Sequence, residues 1–401
     1  MSERVDVAVV GGGLVGSAAA LALASLPLEI AVVEPKPPEH EVGALGFDLR
    51  VVALSPWGRK FVGELGAFPE RENTCYDAME VVDAAGRGHI RFDAKEVGSD
   101  ALGYIVENSI LAKALWQRLE ERSNVVFYSP DRVTALAPSG GRWDLELESG
   151  KHLLAAIVVA ADGVASPVRT FAGGRAAVID TGHVAVVTHV ATELHHGGAA
   201  RQWFHPEGPV ALLPMPSRGE NHHCAVVWSC RPALAQELAE QSRDAFCARL
   251  TDATRTTLGS ILRCDHRVSF PLRQLHAGRY GPAPGVVLIG DAAHVIHPLA
   301  GQGVNLGLRD VDTLVHEIGR VVRVTASLSE AEIGSMIRRY ERRRWLRNRS
   351  MLSLMTGFKE LFESEAPWVR WVRGAGMAGV GATPWLKRML AHEAMGTSAN
   401  R

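Results

Sequence analysis

Short apolar runs recur along this chain, and several end on a glycine or an acid. Val5-Asp6-Val7-Ala8-Val9-Val10 has the length and apolar character of a buried strand, and the Ala/Leu-rich stretch Ser17–Leu26 after it is helical in character. A second run, Ile30–Val33, completes a strand–helix–strand unit. The strand-then-turn pattern returns at Val158–Ala161 and at Val286–Ile289, where a helical pattern follows. In the middle of the chain, Val184–Glu193, Ala200–Phe204, Val210–Leu213 and Cys224–Cys230 show the runs of a sheet. The pattern predicts an α/β nucleotide-binding domain interrupted by a second, β-sheet domain. We assign residues 1–75, 103–180 and 273–340 to the first, 76–102 and 181–272 to the second, and 341–401 to a helical C-terminal region.

Composition narrows the class only modestly. The chain has 401 residues, 47% hydrophobic and 22% charged, which suits a globular protein with a substantial core. A formal net charge of -1 supplies no basic field for nucleic acid. Five cysteines form no C-x-x-C pair, so neither a disulfide framework nor a zinc site is expected. The first strand begins almost at the initiator Met, and no stretch has the roughly 18–20 apolar residues of a membrane span. A cytoplasmic protein is expected, with peripheral membrane contact through its C-terminal region as an open alternative.

Chemistry concentrates where the strands end. Gly11, Gly13 and Gly16 follow the first strand in G-x-G-x-x-G spacing, and Glu34 ends the second. Gly11 permits a tight turn, Gly13 lets backbone approach a pyrophosphate, Gly16 allows close helix packing, and Glu34 can accept from an adenosine ribose. That fingerprint serves NAD and FAD alike. The late segment Gly290-Asp291-Ala292-Ala293-His294, followed by His297-Pro298-Leu299-Ala300-Gly301-Gln302-Gly303-Val304-Asn305 and closing on Asp310, separates them. A dehydrogenase needs no second Gly-Asp site so far downstream, whereas FAD extends well beyond its ADP half.

With the middle motif Asp162-Gly163, then Ser166 and Arg169, these three strand ends resemble the group A flavoprotein monooxygenases, relatives of 4-hydroxybenzoate hydroxylase. The run from His297 to Gly307 and Asp310 is similar to the signature of the ubiquinone-biosynthesis hydroxylases, as are Arg50–Ser55, Tyr104–Asn108, Trp203-Phe204, Gly208–Pro214 and Val226–Trp228. The resemblance implies a 4-hydroxybenzoate-hydroxylase-like, Rossmann-type FAD domain. In it, Arg50 lies near the ADP moiety and Asn108 near the diphosphate or ribityl region. Asp162 and Gly163 form a dual FAD/NAD(P)H motif with Arg169 supporting that strand end, Asp291 binds ribityl hydroxyls, Gly303 contacts the cofactor, and the N–H groups of Val304 and Asn305 face the pyrimidine edge of the flavin. It also implies NAD(P)H as a transient reductant, O2 as co-substrate, and hydroxylation of a polyprenylated phenol or benzoquinol.

No side chain is assigned as a catalytic acid, base or nucleophile, because the flavin carries the chemistry. Ser17 and Ser166 lack a partner base, and no metal site is expected. His294 is expected to bond loop backbone, Trp116 to pack, and His222-His223 to form a surface turn. The substrate pocket is placed on the sheet domain at Trp203, Phe204, Leu213 and Pro214, with His297 and Pro298 from the late segment. Seven arginines between Arg338 and Arg349, then Trp345, Trp368, Trp371 and Trp385, make a basic, Trp-rich end. It reads as a solvated helix face plus core packing, or as a surface for an anionic membrane or for subunits of a biosynthetic complex. Two other functions stay open: a group A enzyme acting on a soluble phenolic or antibiotic substrate, and a non-catalytic flavoprotein scaffold.

Overall fold

A computed structural model describes residues 3–84, 88–218, 221–296, 303–322, 329–363, 379 and 383–396. His297, Pro298, Trp368 and Trp371 lie outside them.

The first sheet has seven strands. Val125–Tyr128, Ile30–Val33, Glu3–Val10 and His152–Ala160 lie side by side in parallel, and Val286–Leu288 also runs parallel to His152–Ala160. Arg142–Leu147 and Val133–Ser139 extend the sheet antiparallel. Near-continuous apolar sequence is what a parallel sheet covered on both faces requires. Val7, Val9, Ala31, Ile157, Val159 and Val287 are accordingly buried in one core with the helices Leu14–Leu23 and Gly303–Val322. Register is the decisive feature. Val10 pairs with Val33 and with Ala160, and Ala160 with Leu288, so four parallel strands end level with one another. Glu34, the Gly11 turn, Asp162 and Asp291 therefore leave the same edge, where parallel sheets bind their ligands.

The second sheet has nine strands, in the order His294–Val295, Val268–Ala277, Ala176–Thr192, Asn221–Cys230, Gly208–Arg218, Ala199–His205, Ala78–Asp83 and His89–Asp93, with Ile261–Cys264 also on Ala176–Thr192. The expected domain limits near 180 and 272 fall inside two of these strands. The strand-rich reading of 181–272 did not foresee two helices, Pro232–Glu240 and Arg243–Ala253. They cover one face of the sheet, where Val186, Trp203, Val210, Leu212, Val226 and Trp228 meet Leu238, Phe246 and Leu250. A third sheet of three strands, Val51–Leu54, Gly103–Glu107 and Asn73–Tyr76, stands between the two larger ones in the chain's path. No helix among the described residues is long and apolar enough to cross a membrane.

Candidate functional site

The glycine turn is built as its spacing requires. Gly11 has φ +102, and a Cβ there would come within 2.3 Å of the Ala161 carbonyl oxygen; one on Gly16 would meet the Gly11 oxygen at 1.9 Å. Gly13 faces open space. Glu34 accepts from the backbone N–H of Gly12 at 2.5 Å and from that of Lys36 at 3.0 Å, so its carboxylate sits against the turn. Trp116 does more than pack: its indole N–H donates to the Gly12 oxygen at 2.8 Å and holds the turn from behind.

Asp162 and Arg169 are both engaged within the protein. The Asp162 carboxylate accepts from the Ser166 hydroxyl at 2.6 Å and the Val168 N–H at 3.0 Å, bracing the short helix Pro167–Phe171. Burial raises its pKa, against the pull of those bonds. Arg169 is buried and donates to the oxygens of Ala292 (2.7 Å) and Val164 (2.8 Å). Its guanidinium is thus committed to tying the middle strand end to the late one. Gly163 stands beside them at φ +82 in open space.

The late segment rests on a buried polar network. Asp310 accepts from His294 Nε2 at 2.5 Å and Gly290 N–H at 3.1 Å on one oxygen, and from Arg344 Nε at 2.7 Å and Asn348 Nδ2 at 3.1 Å on the other. Burial alone would raise the Asp310 carboxyl, but the His294 and Arg344 side chains outweigh it and hold it down at about 2. His294 therefore bonds a carboxylate rather than loop backbone. Asp291, one residue past the Gly290 anchor, differs sharply: no described residue donates to its carboxylate. It opens onto a cavity while closely surrounded, and that desolvation raises its pKa, partly countered by His294.

The cavity has a volume of about 470 Å³ and lies between the strand ends and the second sheet. Arg50, Ser55, Asn108, Asp291, Gly303, Val304 and Asn305 line its floor. Arg50 and Asn108 are neighbours because Asn108 N–H donates to the Arg50 oxygen at 2.9 Å. Asn305 is clamped, its amide bonding Ser55 N–H and the Ala53 oxygen, both at 2.8 Å. Gly11, Gly13, Gly16 and Glu34 lie beyond the cavity's limits. The roof comprises Val187, Ala211, Leu213, Ala225, Val227 and Phe270, with Gln202 and Ser229 as polar members. Tyr76, Met79, Phe92 and Leu102 close one side with Leu390, Ala391 and Met395 of the C-terminal helix Pro384–Ala394 and its following turn.

Leu213 is the one described residue of the expected substrate pocket that lines this cavity. Trp203 points to the opposite face, into the core beneath the two helices. Successive strand residues face opposite sides, so Trp203 and Phe204 could never both face the substrate. Phe204 and Pro214 are buried away from the cavity wall. Gln202 was missed, although the same alternation places it on the face opposite Trp203. His223, expected in a surface turn, lies inside the strand Asn221–Cys230, its ring 5.2 Å from that of Phe47.

The arginine-rich segment is partly internal. The helix Glu330–Glu363 packs on Gly303–Val322, where Arg339 and Arg343 reach the buried Glu317 at 2.6 and 2.7 Å, and Arg344 reaches Asp310. Arg338, Arg342, Arg347 and Arg349 remain exposed.

The residues present fit FAD. At the floor of the cavity, the Arg50 guanidinium, the Asn108 amide and the Asp291 carboxylate have no described partner for their side chains. A cation and an amide suit a diphosphate, and an unpaired carboxylate suits ribityl hydroxyls. The open spaces at Gly13 and Gly303 leave room for a ligand against backbone.

Known proteins resemble this chain in sequence and in fold. Residues 60–352 match the FAD binding domain family. The chain is 34% identical over 399 residues to 3-demethoxyubiquinol 3-hydroxylase of Escherichia coli K12, covering 98% of this chain and 99% of that protein. It is 32% identical to ubiquinone hydroxylase UbiL of Rhodospirillum rubrum, covering 98% and 90%. In fold it is similar to p-nitrophenol 4-monooxygenase PnpA of Pseudomonas putida, with a TM-score of 0.77, 20% identity and both chains fully covered.

Proposed function

The chain belongs to the FAD-dependent hydroxylases of ubiquinone biosynthesis, and on that premise we propose that it adds one oxygen atom to the ring of a polyprenylated phenol or benzoquinol. The observation that carries the reading is the single cavity floored by Arg50, Asn108, Asp291 and Gly303–Asn305 and roofed by an apolar sheet face. A cofactor ring and an aromatic substrate can meet there, out of bulk water.

Bound FAD would take electrons from NAD(P)H and react with O2; everything else falls to the chain. The Gly11–Gly16 turn and Glu34 would hold its adenosine end, Arg50 and Asn108 its diphosphate, and Asp291 its ribityl chain. The first-turn N–H groups of the helix at Gly303 lack intrahelical partners and aim positive dipole at the cavity floor. They would stabilise negative charge on a flavin bound there. The roof excludes water and orients the substrate ring. The side wall of Met79, Phe92, Leu102, Leu390 and Met395 offers the apolar surface a prenyl chain needs, and exposed Trp385 and Met389 on the same C-terminal helix favour contact with the membrane that stores such a substrate.

The test is a deletion strain analysed by mass spectrometry of its quinone intermediates. Accumulation of a species one oxygen short of a later intermediate supports the reading; an unchanged intermediate profile refutes it.

A further inference from the structure

Strand alternation divides the second sheet into two faces. In register across it, Val187 pairs with Val227, Val227 with Ala211, Ala211 with Gln202, and Gln202 with Val81. The parallel row contains Ala225, Leu213, Ala200 and Met79. Apart from Val81, every member of the two rows lines the cavity. On this wall Gln202 interrupts an apolar surface with an amide. It is only 6% exposed, and no described residue hydrogen-bonds its side chain. Its neighbour Arg201 belongs to the other face, where Glu80 at 3.2 Å and the His196 oxygen at 2.7 Å hold it.

Its amide lines the cavity instead of bonding a described residue, so a ligand seated there can complete its hydrogen bonds. The amide is also neutral. The charged residues lining the cavity are Arg50 and Asp291 at the floor and Arg201, whose guanidinium is turned to the other face and held there by Glu80. The roof thus has nothing to pair with an ionised substituent, and a carboxylate there would be desolvated without compensation. Ser229, on the same face and lining the same cavity, is likewise neutral.

We infer that Gln202 is the specificity-determining group of the roof, and that it hydrogen-bonds a ring oxygen of an uncharged phenolic substrate. The inference rests on the hydroxylase reading and adds the charge state of the substrate ring and the residue that reads it. An amide at this position selects against aromatic acids and for neutral, alkylated phenols.

The experiment uses the full-length, FAD-loaded protein and two probes, a monoprenylated phenol and the monoprenylated benzene that lacks its hydroxyl. Binding is followed by perturbation of the flavin absorbance, and FAD content and melting temperature are recorded for every variant. The wild type is expected to bind the phenol about 10-fold more tightly than the deoxy probe, as one buried hydrogen bond implies. Gln202→Met, which keeps the length of the side chain, and Gln202→Leu should bind both probes alike while holding FAD normally. Persistence of the preference in either folded variant overturns the assignment, as does a wild type that holds FAD and shows no preference. Tighter binding of a carboxylated phenol than of the neutral one also overturns it. A protein that binds no FAD refutes the hydroxylase reading itself and takes the inference with it.

Discussion

Replacing Asp310 by Asn isolates the network beneath the late strand end. Asp310 is fully buried, and its two oxygens accept four hydrogen bonds from His294, Gly290, Arg344 and Asn348. An amide keeps the shape but removes the charge that compensates Arg344, itself buried. Breaking a buried ion pair from one side costs about 3–5 kcal/mol. Unfolding entropy of about 2.1 cal/mol/K per residue, taken over the whole chain, converts that into a fall in melting temperature of about 4–6 °C if the chain unfolds as one unit. Asp310→Asn should also release FAD more readily, because the Gly290 N–H that positions Asp291 loses its anionic acceptor. Calorimetry and flavin absorbance after gel filtration measure both effects. Adding Arg344→Met should recover part of the stability, since the uncompensated cation is then gone. A melting temperature within 1 °C of wild type with full FAD content, against the roughly 4–6 °C predicted, would refute the reasoning. The pH dependence has a definite sign. A carboxyl held at about 2 when folded, below its ordinary 3.8, stabilises the fold above pH 3.8. That contribution is lost as pH falls towards 2, and the Asn variant should lack it.

Other perturbations separate the remaining roles. Glu34→Ala and Asp291→Ala should each weaken FAD binding by about 10- to 100-fold, the scale of one hydrogen bond to a charged group, and full FAD occupancy in both would remove the assignments. Trp203→Ala should destabilise the fold by about 3–5 kcal/mol in chemical denaturation, yet leave substrate KM unchanged, because its ring lies on the face away from the cavity. Glu317→Gln should loosen the helix Glu330–Glu363, read as faster amide exchange around Arg339 and Arg343, because it removes the buried charge both arginines pair with.

Much of this fold was legible because its signals are local. The apolar runs before Gly11, Asp162 and Gly290 are short, β-branched and closed by turn residues, and each is a parallel strand where expected. Their level register is set by pairing across long sequence separations, so only the structure brings Glu34, Asp162 and Asp291 to one edge. Spacing alone could not tell a ligand-facing acid from a braced one. Asp162 and Asp291 both end strands, yet Ser166 and Val168 occupy the first and no described group occupies the second. Composition reports only the charge of the arginine run, whereas helical phase decides that Arg344 points inward and Arg342 outward. Alternation, not aromatic character, decides which side of the second sheet faces the cavity: the two-residue period puts Gln202 there and Trp203 in the core behind it.

The most direct test of the central claim is single-enzyme turnover with labelled gas. Purified, FAD-loaded protein is given NAD(P)H, isotopically labelled O2 and a short-chain prenylated phenol, and the products are weighed by mass spectrometry. The account predicts a ring-hydroxylated product carrying one labelled oxygen, with NAD(P)H oxidation accelerated by the phenol. Absence of labelled product across the prenylated phenols and quinols tested, with NAD(P)H oxidation indifferent to them, would contradict it.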